Sequence, residues 1–85
     1  MKKHIHKFTL MVGQNTVRSE GRIHRVLHVA FQGDKLCLWA EVDTDDSAQL
    51  NHFHVVGTGF NVPNNVARHI GSVVEDPYVW HVYQM

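Results

Sequence analysis

The stretch 26–42, VLHVAFQGDKLCLWAEV, constrains this chain more than any other. Two apolar runs flank Gly33-Asp34, a pair suited to a tight turn because glycine takes positive φ without strain. Closing the chain there predicts a β-hairpin that pairs Gln32 with Lys35, Phe31 with Leu36, Val29 with Leu38 and Leu27 with Ala40. Side chains alternate along a strand, so Leu27, Val29, Phe31, Leu36, Leu38, Ala40 and Val42 share one uniformly apolar face. The opposite face carries Val26, His28, Ala30, Cys37, Trp39 and Glu41. A half-exposed antiparallel strand alternates with polar residues on its outer side. Here that side is largely apolar, so it needs a cover, either the C-terminal strand or a second copy of the chain. The expectation is an isologous homodimer with Trp39 at the contact.

The rest of the chain is read around this hairpin. Residues 4–12 predict a first strand, with His4, His6, Phe8, Leu10 and Val12 on one face. Residues 13–22 (GQNTVRSEGR) are polar, hold two glycines and predict a loop. The acidic run 43–51 predicts a solvated connection. A short strand follows at 52–56, broken by Gly57-Thr58-Gly59, and 60–65 is irregular around Pro63. Residues 66–70 fit either one helical turn capped by an asparagine or the approach to a strand. A second hairpin closes the chain, 69–74 and 78–83 around a turn at 75–77. The 85 residues predict one domain, 1–85. Its fold is expected to be mostly β: an antiparallel sheet or partly closed barrel of five to six strands, with at most one short helix.

Four pieces of the chain carry a resemblance: LCLWAEVD at 36–43, FHVVGTGF at 53–60, HIGSV at 69–73 and YVWHVY at 78–83. Together they resemble a family of small uncharacterised bacteriophage proteins. The resemblance implies a phage-encoded accessory protein working in the cytoplasm of a bacterial host. By analogy with small phage proteins of that sort, it implies an inhibitor of a host anti-phage defence factor. It brings no catalytic residue with it.

Composition and motifs narrow the chemistry. The formal net charge is zero, which gives no global attraction to nucleic acid or to an anionic membrane. A single cysteine excludes an intrachain disulfide and fits a reducing cytosol. The basic start is interrupted by histidines and lacks the apolar core of a signal peptide. Eight histidines are the unusual feature. His4 with His6, and His52 with His54, each put two imidazoles on one strand face. They are the candidate metal ligands if those strands were neighbours, but zinc needs three or four ligands at once. The expectation is no metal and no cofactor. Gly57-Thr58-Gly59 lacks the third glycine of a dinucleotide fingerprint. Its glycines suit a turn, or a nest of backbone N–H groups for an anion. Cys37 beside His28 would be a nucleophile and base, yet a strand cysteine next to a tryptophan is more often inert packing.

No arrangement here announces catalysis, so the leading expectation is a non-enzymatic protein-binding module whose partner is a host protein. The alternative is a small-molecule binder that holds a nucleotide signal, and a histidine-based metal-dependent enzyme ranks below both. The residues expected to bind are Trp39, His28, His54, Gly57, Thr58, Gly59, Trp80 and His81. Basic residues gather in the first third and acidic residues in the remainder, a polarity that would steer a protein partner.

Overall fold

A computed structural model describes residues 2–85 of the protein. The described residues form seven strands: β1 (Lys3–Leu10), β2 (Gly13–Ser19), β3 (Arg22–Gln32), β4 (Lys35–Asp43), β5 (Gln49–Gly57), β6 (Arg68–Glu75) and β7 (Tyr78–Gln84). They make two antiparallel sheets, one in the order β1-β4-β3 and the other β2-β5-β7-β6. The sheets pack face to face and do not close into a barrel. No helix forms among the described residues, and none is long and apolar enough to cross a membrane. Residues 66–70 are thus the approach to β6 and its beginning.

The expected hairpin is β3–β4, and it turns at Gly33-Asp34 with Gly33 at φ +64°. Gln32, Phe31 and Val29 meet Lys35, Leu36 and Leu38 as the alternation predicts. The next predicted pair does not form. Register shifts break the ladder between Val26 and His28 and between Ile23 and Arg25, so Val26 rather than Leu27 lies opposite Ala40. A bulge places two residues against one and turns the strand over. Leu27, expected inside, is therefore 39% exposed, while Val26 packs against the core.

The core draws Leu10, Leu36, Leu38 and Ala40 from the first sheet and Phe53, Val55 and Val82 from the second. Leu38, Phe53 and Val82 are sealed from solvent. Burying each such side chain contributes about 1.5–3 kcal/mol. On one side β3 and β6 close the sandwich. There Gly71 faces Val29 so closely that a Cβ at position 71 would lie 2.6 Å from Val29 Cγ2.

β2 corrects the reading of 13–22 as a loop. It pairs with β5 from Gly13↔Val55 to Ser19↔Gln49. Its inward residues are Asn15, Val17 and Ser19, of which only one is apolar, so hydropathy gave no alternation to read. The polar pair is satisfied internally. Asn51 Nδ2 donates to Ser19 Oγ at 2.9 Å, and the Ser19 hydroxyl donates to Gly21 O.

Candidate functional site

Four connections meet at one end of the sandwich. The Leu10↔Leu36 pair sets the end of β1 beside the β3–β4 turn. Gly13↔Val55 and Gly57↔Trp80 bring the start of β2, the end of β5 and the β6–β7 turn to the same place. The two-residue link Met11-Val12 joins the sheets there. Large apolar side chains stand out from these connections: Met11 and Phe60 are each 75% exposed, Val12 65% and Tyr78 58%.

The turns that carry them are tied down. Asn15 accepts from Met11 N at 2.8 Å and donates to Met11 O and Gly13 O at 2.8 and 3.0 Å. Gly13, at φ +93°, makes the bend that follows Val12. After β5, Thr58 N donates to Val79 O at 3.1 Å and Phe60 N to Gly57 O at 3.2 Å, with Gly59 at φ +93° between them. Apolar side chains on pinned turns lose little further freedom when a partner covers them.

Trp80 lies at the centre of this end. Its indole Nε1 donates to Glu75 Oε1 at 3.0 Å, and its ring stacks on Tyr78 with centroids 5.7 Å apart. It borders three cavities. One of about 410 Å³ has Leu10, Phe31 and Leu36 in its walls together with Asp34 and Glu75. Another, of about 460 Å³, lies among Val12, His54, Val56 and Phe60. A third, also about 460 Å³, lies among Gly57, Thr58, Phe60 and Tyr78.

The structure thus brings Trp80, Gly57 and Thr58 together, as the small-molecule reading requires, and separates them from Trp39. Trp39 is on the outward side of the three-stranded sheet, opposite His28, with ring centroids 6.0 Å apart. Cys37 is 1% exposed and lies opposite Ala30, not His28. Its thiol donates to Lys35 O at 3.6 Å, and Lys7 and Gln32 join across β4 at 2.6 Å. This is the placement of a packed cysteine. Of the 57–59 backbone N–H groups, that of Thr58 donates to Val79 O at 3.1 Å.

His81 sits on the outward side of the four-stranded sheet. There Thr58 Oγ1 bonds His81 Nε2 at 2.8 Å, His81 Nδ1 bonds Ser72 Oγ at 2.7 Å, and Ser72 Oγ bonds His69 Nε2 at 2.9 Å. His69 meets Tyr83 edge-on at 5.3 Å. This solvent-exposed chain of bonds ties the long 58–67 connection to both strands of the β6–β7 hairpin. His54 is opposite Tyr83 across the β5–β7 ladder, and its Nδ1 is enclosed without a hydrogen-bond partner. The premise for a four-histidine metal site fails. His4 and His6 are on β1, which pairs with β4, whereas His52 and His54 are on β5 in the other sheet. Among the described residues no group of three or more histidine, cysteine or acidic side chains could hold a metal ion.

Of the residues expected to bind, Trp80, Gly57, Thr58 and His54 line the cavities at this end, whereas Met11, Val12, Phe31 and Phe60, which line them too, were not among the residues singled out. The signal they left is position: Met11, Val12 and Phe60 are apolar residues within or beside glycine turns, where polar residues are the rule.

A family model matches residues 1–85, and the chain belongs to that family, described as a domain of unknown function (DUF7352). The searches of curated proteins and of solved structures returned no match.

Proposed function

We propose that this member of the family is a non-enzymatic protein-binding module that docks its partner on the apolar end around Trp80. The observation that supports it is the convergence of Met11, Val12, Phe60 and Tyr78, all more than half exposed, on turns held by internal hydrogen bonds. Contiguous exposed apolar surface of this kind marks interaction sites. In keeping with the resemblance to bacteriophage proteins, the partner is proposed to be a host protein, and binding the means of inhibiting it in the bacterial cytoplasm. The outward side of the three-stranded sheet, with Ile5 64% exposed and Leu27 beside the Trp39–His28 pair, is proposed as the contact for a second copy.

A nucleotide ligand is the second reading. It draws on the cavity shared by Trp80, Gly57 and Thr58. Against it, the neighbouring cavity presents Asp34 and Glu75, which repel phosphate, with Lys35 the one cation in its wall. Thermal shift against a nucleotide panel separates the readings, since a ligand at 100 times its Kd adds about 2.7 kcal/mol.

The test of the main reading is a photo-crosslinking residue in place of Phe60, used in lysate of the host. The expected result is one dominant adduct, lost when Met11→Asp is added and retained when the crosslinker is accompanied by Leu50→Asp, an exposed site remote from this end. An adduct indifferent to Met11→Asp, or none, refutes the site.

A further inference from the structure

The carboxylates of this protein differ in what holds them, and Asp45 too has a partner. Glu20, Asp46 and Glu41 are each paired with an arginine, Arg18, Arg22 and Arg25 respectively. Asp43 is buried and accepts from the backbone N–H groups of Lys2 and Asp45. Asp34, Glu75 and Asp76 have no cationic partner among the described residues. All three stand at the apolar end, in the β3–β4 and β6–β7 turns or beside them. Lys35 is the one basic residue of those turns, so this end is acidic on a chain whose formal net charge is zero.

Two of these carboxylates, Asp34 and Glu75, line the same cavity of about 410 Å³, whose other walls include Leu10, Phe31, Leu36 and Trp80. An acidic rim over an apolar pocket asks for a group that is cationic at its tip and apolar along its length, or for a cationic residue next to an apolar one. Glu75 sharpens the choice. It receives the Trp80 indole N–H through Oε1, which leaves its second oxygen for a partner. Tyr78, stacked on Trp80 and 58% exposed, offers an aromatic face nearby. A guanidinium is planar, pairs with a carboxylate through fixed donors and lies flat on aromatic rings; an ammonium does neither as well.

We propose that the partner segment carries an arginine that engages Glu75 and the Tyr78–Trp80 stack, with an adjacent large apolar side chain seated in the cavity over Leu10, Phe31 and Leu36. This rests on the protein-binding reading above and names the chemistry of what binds. A nucleotide phosphate does not fit this rim, and a second copy of the chain would have to bring one of its own arginines, three of which are already paired.

The test uses the full chain carrying Trp39→Phe, so that Trp80 is the sole tryptophan. Two capped peptides are titrated, Gly-Arg-Leu-Arg-Phe-Gly and the same peptide with citrulline for both arginines. Citrulline keeps the shape and removes the charge. Binding is followed by Trp80 fluorescence and by the Trp80 indole N–H resonance. The expected result is a shift of that resonance by the arginine peptide, at least tenfold weaker binding of the citrulline peptide, and weakening of the arginine peptide by raised salt. Glu75→Gln should cost the arginine peptide about the same factor and leave the citrulline peptide unchanged. A Trp80 indole N–H resonance at its native position in Trp39→Phe before titration shows that the fold is intact. Equal binding of the two peptides, or no effect of Glu75→Gln, overturns the proposal. If the Phe60 crosslink still captures a partner while the arginine peptide fails, the chemistry assigned here is wrong and the docking end stands. If both fail, the docking end falls as well.

Discussion

The closed side of the sandwich depends on a missing side chain, and replacing it gives a calculable penalty. In Gly71→Ala the new methyl would lie 2.6 Å from Val29 Cγ2. Unstrained carbon–carbon contacts are at about 3.5–4.0 Å, so the sheets must part or Val29 must leave its rotamer. Val29 is β-branched, and its χ1 gives way at a cost. Overpacking of this kind costs about 1–3 kcal/mol. The loss of glycine's freedom in the unfolded chain returns roughly 0.4–1 kcal/mol. The net expectation is about 1–2 kcal/mol of destabilisation, which in a chain of this size lowers Tm by roughly 4–8 °C per kcal/mol. Val29→Ala removes the opposing methyl and should cost about 1 kcal/mol on its own, since Val29 is only partly buried. In the double variant the new methyl occupies the space vacated. The two changes should then cost less together than the sum of their separate effects, by about 1 kcal/mol or more in urea unfolding. Strict additivity, within about 0.3–0.5 kcal/mol, would mean that the sheets do not meet at this pair.

Three further outcomes follow from particular residues. Asn15→Ala leaves the N–H and C=O of Met11 without their partner and should lower stability by about 1–3 kcal/mol; by NMR the 11–13 link should become mobile, and an unchanged link would show that Asn15 does not hold it. The hydrogen bond from Arg25 holds the Glu41 carboxyl below the usual carboxylate range. A depressed folded value stabilises above the unfolded pKa, about 4.3, and that contribution disappears as pH falls through the folded value. The Tm difference between the native chain and Glu41→Gln should therefore be full at pH 6 and close below pH about 4; a gap that persists in acid refutes the pairing. In light scattering at tens of micromolar the proposed homodimer should give twice the chain mass, and Trp39→Ala should halve it; a monomer before substitution removes the second-copy contact.

What could be read beforehand followed from strict alternation. The β3–β4 turn and its first three pairs came from apolar residues two apart on both sides of Gly33-Asp34, a pattern with one consistent register. The pattern stops informing at Val26-Leu27, where two adjacent apolar residues compete for one inward position and a bulge settles it in favour of Val26. β2 was invisible for a different reason. Its inward side chains are Asn15 and Ser19 around Val17, and a polar residue faces a core only when hydrogen bonds that hydropathy cannot register satisfy it. Nor could strand order be read, and strand order makes the site. Met11, Phe31, Phe60 and Tyr78 are far apart in the chain and meet because β1, β4, β5 and β7 all begin or end at one level.

The charge pattern shows the same limit from the side of electrostatics. In linear order the basic residues crowd the first third and the acidic ones the rest, and the expectation was a polarity that follows the chain. The fold redistributes it. β3 brings Arg22 and Arg25 to Asp46 and Glu41, while Arg18 at the end of β2 pairs locally with Glu20, so part of the sequence's asymmetry is neutralised by ion pairs at the surface. Exposed pairs of that kind add little stability. Their consequence is subtractive, because Asp34, Glu75 and Asp76 form no ion pair among the described residues and have only Lys35 as a basic residue in their turns. Those three lie where Met11, Phe60 and Tyr78 are exposed and where Trp80 borders the cavities. A partner that docks here as proposed would be steered by a field that arises at the same end as the surface it covers, which is the arrangement in which electrostatic attraction speeds association and apolar burial holds the complex.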